Sequence, residues 1–176
     1  MALFHLVGIT PEAPTLRDAF QGKLPEHIAY ITMDELRQAR DELTTAGGQK
    51  LNMVVLGSPH FSLAEFKQLA PLLEGQQRHP DVQFLVTSSR AMTMLADKAG
   101  FVEPIRSFGA KITVDTCILT TPMLPADIRI LMTNSAKFAY YSPGMLNMQV
   151  VFGSLEDCVS SAVEGRVVRD DSLWQM

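Results

Sequence analysis

The chain has 176 residues, 47% of them hydrophobic and 19% charged, with a formal net charge of -4. That is enough chain for one well-cored domain, in the ordinary balance of a soluble globular protein. No basic, aromatic-rich stretch marks a nucleic-acid surface, no apolar run approaches a membrane span, and two cysteines do not make a disulfide framework, so a reducing cytoplasm is the expected setting.

The first residues, Met1-Ala2-Leu3-Phe4-His5, lack the charged region and long apolar core of a signal peptide. Residues 3–9 read as a strand that breaks at Thr10-Pro11-Glu12, and 15–20 as a short helix ended by Gly22. Thr32-Met33-Asp34-Glu35 matches a capping box and places a helix over 33–45. Its Met33, Leu36, Ala39 and Leu43 follow helical spacing, and Gly47-Gly48 stops it. Asn52-Met53-Val54-Val55-Leu56 is continuously apolar after its first residue, as a strand covered on both faces should be. Gly57-Ser58-Pro59-His60 reads as the turn after it, and Ser62-Leu63-Ala64-Glu65 as a second capping box opening a helix to about Leu73. The next strand is 82–86, its turn Thr87-Ser88-Ser89-Arg90, and a helix runs on to Ala99 and Gly100. A helical piece at 103–108, a strand at 111–114 and the turn Asp115-Thr116-Cys117 follow. After a loop with Pro122 and Pro125, the strand 128–132 leads into Thr133-Asn134-Ser135-Ala136-Lys137 and a short helix stopped by Pro143 and Gly144. The last strand is 149–152, and a helix capped by Ser154 closes at Gly165.

Strands thus alternate with helices, which predicts an α/β fold of three layers: a mainly parallel sheet with helices on both faces. Residues 4–165 read as a single domain and 166–176 as a tail with little to bury. Right-handed crossovers put every strand's carboxyl end on one edge of such a sheet, where ligands bind. That edge gathers Ser58 and His60, Ser88, Ser89 and Arg90, Asp115 to Cys117, and Asn134 to Lys137.

Each group has two readings. Cys117 suits a thiolate ligand or nucleophile, or a small residue packed under its loop. His60 suits a general acid or base, or a histidine that hydrogen-bonds its turn. Arg90 with Ser88 and Ser89 suits a carboxylate at a helix N-terminus, or is an exposed helix-start arginine. Lys137 suits the other end of an acidic substrate, or is solvated. Cys158 falls on the apolar face of the last helix and reads as core, as does His5; His27 and His79 read as solvated, and Tyr140 and Tyr141 as packing residues.

Taken in order, Thr-Pro-Glu-Ala at 10–13, Gly57-Ser58-Pro59-His60, Thr87-Ser88-Ser89-Arg90, Asp115-Thr116-Cys117, Thr133 to Lys137, the following Tyr-x-Pro-Gly, and the helix start Val-Phe-Gly-Ser-Leu-Glu-Asp-Cys resemble the aconitase X family over nearly the whole chain. The resemblance implies a hydro-lyase. The family's bacterial branch dehydrates cis-3-hydroxy-L-proline and an archaeal branch mevalonate 5-phosphate; the bacterial substrate is the expectation here. It implies an iron or iron–sulfur centre acting as a Lewis acid, with Cys117 and the residue at position 58 as metal ligands. Ser58 departs from the family's Gly-Cys-Pro-His, and a serine oxygen is a harder ligand than a thiolate. Ser135 is a catalytic candidate by analogy with the serine of aconitase-type sites; His60 joins it from the residue reading above, and Ser88, Ser89, Arg90, Asn134 and Lys137 are the substrate-binding candidates. The chain resembles only the C-terminal part of the family's catalytic subunit. Its implied partners are therefore a small hydroxy-acid substrate, a missing N-terminal portion, and a small swivelling subunit or domain. The alternative is a non-catalytic α/β module that binds a small anion or a partner protein at the same edge.

Overall fold

Met53-Val54-Val55-Leu56 has no polar side chain, and all four residues are buried. Alternate side chains leave the strand on opposite faces. Val54 and Leu56 enter one hydrophobic cluster, Met53 and Val55 the other. This strand, β1 (Met53–Phe61), is the centre of a five-stranded sheet with β2 (Gln83–Ser88), β3 (Lys111–Val114), β4 (Ile130–Thr133) and β5 (Gln149–Phe152). The computed structural model describes residues 4–175, and the chain divides between Thr32 and Met33 into two units.

The strand order is β3-β2-β1-β4-β5, and every pairing between these strands is parallel. On one face Phe66, Leu69 and Leu73 of α3 (Leu63–Leu73), Ala96 of α4 (Arg90–Lys98), Ile105 of α5 (Val102–Ser107) and Cys158, Val159 and Ala162 of α7 (Leu155–Glu164) close over Val54, Leu56, Phe84 and Met132. On the other, Phe138 and Ala139 of α6 (Ala136–Leu146), with Ile118, Leu119 and Ile128, close over Met53, Val55, Leu85 and Leu131. Burial of each large side chain contributes about 1.5–3 kcal/mol. The expected three-layer α/β architecture is the one that forms. Caps set the helix starts: Ser62 and Ser154 each make a reciprocal capping box, with Glu65 and Asp157.

Several elements differ from the sequence reading, each for a local reason. The expected strand at 3–9 does not form over its described part. The N–H groups of Ile9 and Thr10 both turn back to the Leu6 carbonyl, and Gly8 takes a positive φ of 79°. Residue 3 lies outside the described residues. In the same unit α1 (Leu16–Ala19) starts at Thr15, whose side chain accepts the Asp18 N–H. His5 is not a satisfied core histidine, because its buried Nδ1 has no hydrogen-bond partner among the described residues.

In the larger unit, α2 (Met33–Glu42) ends before residue 45, since the N–H groups of Thr45 and Ala46 donate to the Val150 carbonyl instead. α6 runs through Pro143 and Gly144 rather than stopping there. The helix instead ends at Asn147, in the left-handed region at φ 53°. Tyr140 and Tyr141 are exposed, stacked edge to face on each other rather than packed inside. The stretch 166–175 is not a loose tail. Arg166 bridges Lys50, the Val167 N–H donates to Gln49, Ser161 Oγ bonds both backbone groups of Val168, and Trp174 lies under the Arg40 guanidinium. His79 is partly covered rather than solvated, packing beside Gly165.

Candidate active site

The crossovers from β1 and from β4 lead in opposite directions along the sheet, so β1 and β4 flank the point where the strand order reverses. In sheets of this kind the crevice outside the carboxyl ends at that point is where ligands bind. A cleft of about 230 Å³ lies there, lined by Gly57 to His60, Thr87, Thr116, Cys117, Ile118, Lys137 and Phe138. Hollows of about 380 and 460 Å³ occur elsewhere, the first around 119–129 and 145–148, the second between Arg40, Arg169 and Trp174. The smaller cleft is the candidate because it gathers a lysine, a histidine and a thiol.

Its wall is a bulge, where the sequence suggested a turn. β1 pairs with β2 up to Leu56↔Val86 and again at Phe61↔Ser88, so Gly57 to His60 loop out opposite Thr87. Gly57, at φ 95°, makes this possible: an added Cβ would lie 2.2 Å from the Thr87 carbonyl oxygen. The Ser58–Pro59 peptide is cis. The ladder bonds lost at the bulge are replaced by side chains. Thr87 Oγ1 donates to the Gly57 carbonyl, and Ser88 Oγ to the Phe61 carbonyl at 2.8 Å. Ser88 is therefore buried within β2 and holds the wall, outside the cleft lining.

Ser135 caps α6, accepting the Phe138 N–H at 3.1 Å, and donates its hydroxyl to the Ser58 carbonyl. It ties the bulge to α6 from outside the cleft lining. Lys137, in the first turn of α6, lines the cleft, where the ammonium and the helix N-terminus both favour an anion. Asn134 points to a different hollow, the one beside Arg169 and Trp174. Ser89 is spent as the cap of α4. Arg90 does not line the cleft: its N–H and Nε both donate to Asp115, at 2.9 and 3.1 Å.

His60 Nε2 lies 3.0 Å from the Thr116 carbonyl oxygen. A carbonyl can only accept, so in the neutral ring Nε2 carries the proton and Nδ1 is the basic nitrogen. Cys117 is exposed, and the Thr120 side chain holds its thiol below the ordinary range against a smaller opposing effect of burial. The backbone N–H groups of Leu119 and Thr120 and the Lys137 charge act in the same direction. Asp115 is held below the usual carboxylate range by the Arg90 N–H first and then by the guanidinium. Asp115 was legible only as part of a motif; the signal for it was an acid directly after one strand and an arginine two residues beyond the end of its neighbour.

The donor set tests whether an iron centre fits. Among the described residues no group of three or more histidines, cysteines or carboxylates could hold a metal ion. Cys117 is an acidified, accessible thiol, as one ligand of a centre would be, but Cys158 is sealed in the core with its thiol pushed well up by burial. These residues do not make a complete centre.

With that geometry in hand, the comparisons with known proteins are specific. The chain is 46% identical over 174 residues to a cis-3-hydroxy-L-proline dehydratase of Pseudomonas aeruginosa, covering 98% of this chain and 30% of that protein. It is 40% identical over 166 residues to a cis-3-hydroxy-L-proline dehydratase of Hypocrea jecorina, covering 93% and 28%. It thus spans about 30% of the length of these relatives. The crystal structure of Thermococcus kodakaraensis aconitase X in its holo-form superposes with a TM-score of 0.64 at 30% identity, over 73% of this chain and 33% of that one. No helix among the described residues is long and apolar enough to cross a membrane. The family model described as the aconitase X third domain matches residues 51–164, the whole sheet and every residue of the cleft, and the chain belongs to the aconitase X family.

Proposed function

We propose that this chain is the third domain of an aconitase X hydro-lyase that removes water from a small hydroxy acid, with cis-3-hydroxy-L-proline as the substrate. The observation that carries the reading is the juxtaposition of Lys137, His60 and Cys117 around one small cleft at the switch point of the sheet. The names of the two relatives at 46% and 40% identity favour the hydroxyproline. The cleft supports it too, since it is smaller than the roughly 300 Å³ at which pockets for larger ligands begin, and Lys137 is the cation that lines it.

In this reading Lys137 and the α6 N-terminus receive the substrate carboxylate. His60 Nδ1 takes the proton from the carbon beside that carboxylate, the C–H electron pair becomes the new C=C bond, and the hydroxyl on the adjacent carbon leaves, a departure that an iron centre would assist as a Lewis acid. Ser58 and Thr116 supply the polar wall. Ser135 acts by holding the bulge against α6; direct contact with substrate would require its hydroxyl to leave the Ser58 carbonyl. Cys117 would give one thiolate to an iron or iron–sulfur centre, whose other ligands would come from the rest of the protein. That remainder, together with a small swivelling subunit or domain, completes the enzyme in a reducing cytoplasm, where both cysteines are free thiols.

The test is to assemble the chain anaerobically with the missing portions. Dehydration of cis-3-hydroxy-L-proline and iron per chain are then measured for wild type, Cys117→Ala and His60→Asn. Iron bound by the wild type and lost from Cys117→Ala, with turnover lost in both variants, supports the proposal. Full iron and full turnover in both variants refute it. The single accessible thiol favours a second reading for the chain on its own: it binds a small carboxylate and turns nothing over.

A further inference from the structure

The catalytic reading leaves Arg90 and Asp115 without a part, yet their contact joins three of the strand ends around the cleft. Arg90 opens α4, separated from β2 only by its cap Ser89. Its N–H reaches Asp115 Oδ1 at 2.9 Å and its Nε reaches Oδ2 at 3.1 Å. Asp115 sits directly after β3, its N–H bonded to the Ser88 carbonyl of β2 at 3.0 Å. It takes a left-handed φ of 54°, a region aspartate and asparagine tolerate better than other side chains of that size. The next carbonyl, that of Thr116, accepts from His60 on the β1 bulge, and the next side chain is Cys117.

We propose that Asp115, held by Arg90, is a positioning residue: the pair fixes the 115–117 turn so that the Thr116 carbonyl holds His60 by Nε2 and Cys117 stays on the cleft wall. An isolated exposed ion pair would contribute little. This one also binds a backbone N–H and sits in a turn whose neighbouring residues line the cleft. Its consequence for catalysis rests on the hydro-lyase reading; the positioning itself does not. It also gives Arg90 a role other than binding substrate.

Two measurements test it. In the 176-residue chain, nitrogen NMR of the neutral His60 ring at alkaline pH reads the tautomer. Wild type shows Nε2–H. Asp115→Ala, which loses both contacts, shifts the ring toward Nδ1–H; Arg90→Ala, which keeps the residue 90 N–H on Asp115, shifts it less; and the double variant shifts it no further than Asp115→Ala alone, because without Asp115 the guanidinium has nothing to hold. Asp115→Asn, which still accepts the Arg90 N–H and tolerates the left-handed backbone, keeps most of the wild-type signal. Amide spectra that match wild type away from the turn show that the variants fold. In the assembled enzyme, Asp115→Ala and Arg90→Ala each lower kcat at least tenfold with KM changed less than twofold. The proposal is overturned if folded Asp115→Ala keeps the wild-type tautomer, if the two single effects add, or if Arg90→Ala raises KM while Asp115→Ala does not. If the assembled wild type turns nothing over, the hydro-lyase reading fails, and the tautomer measurement still decides the positioning.

Discussion

Gly57→Ala is the perturbation with the clearest worked consequence. At φ 95° the backbone of residue 57 lies in a region that costs an L side chain about 1–3 kcal/mol. The new Cβ would also meet the Thr87 carbonyl oxygen at 2.2 Å, Thr87 Oγ1 at 3.0 Å and Phe61 Cδ2 at 3.2 Å. The closest of these is backbone, pinned by strand pairing on either side of the bulge, so it cannot swing away. Relief requires the bulge to shift and the Thr87–Gly57 hydrogen bond to break, a further loss of about 0.5–1.5 kcal/mol. The sum is roughly 1.5–4.5 kcal/mol, a large part of the stability of an ordinary domain. At about 2–4 °C per kcal/mol for a chain of this size, the thermal midpoint falls by roughly 3–18 °C. Gly144→Ala is the control. Gly144 lies inside α6 with nothing within 4 Å of an added Cβ, so the same substitution stabilises, by about 0.5–1 kcal/mol. Thermal unfolding followed by circular dichroism compares the two. A Gly57→Ala midpoint within two degrees of wild type, by the scale used above, would mean that the bulge is not held as described.

Ser135→Ala removes the α6 cap and strands the Ser58 carbonyl, and should cost about 0.5–2 kcal/mol in urea unfolding, with Ser135→Thr recovering most of it; an unchanged midpoint would remove Ser135 from the positioning scheme. Cys158 gives a pH dependence. Its thiol is pushed well above the ordinary value by burial first, then by the charges of Asp157 and Glu156. A raised folded pKa means that the stabilisation is complete below the ordinary thiol pKa and is lost as pH rises toward the folded one. Urea midpoints should therefore fall between about pH 8 and 10.5, less steeply in Cys158→Ala than in wild type. Equal slopes would show that Cys158 does not contribute.

Much of this architecture was legible because its signals are local. The apolar run at 53–56, the Ser62–Glu65 box and the Ser154 cap each encode an element in a few neighbouring residues, and the alternation of those elements dictates the layers. What was not legible depends on distant partners. Gly57 to His60 read as a turn, because a bulge is defined by the register of β2, thirty residues away. Ser88 read as a substrate-binding residue, and Thr87 as part of a turn, for the same reason: their acceptors are the carbonyls of Phe61 and Gly57 on the neighbouring strand. Pro143 read as a stop, yet α6 continues for three more residues. Lys137, His60 and Cys117 were placed on one edge by topology alone, and they share the cleft. Arg90 and Asn134 were placed on the same edge and do not, since position on an edge leaves side-chain direction open.

The most direct measurement replaces the third domain of the Pseudomonas aeruginosa relative with residues 33–175 of this chain, and follows cis-3-hydroxy-L-proline dehydration with and without Lys137→Ala. The account predicts a working chimera whose kcat/KM falls at least about a hundredfold, close to 3 kcal/mol of transition-state binding, in the variant. A folded, iron-loaded chimera that turns over equally well with alanine at 137 would contradict the claim that this cleft holds the substrate carboxylate.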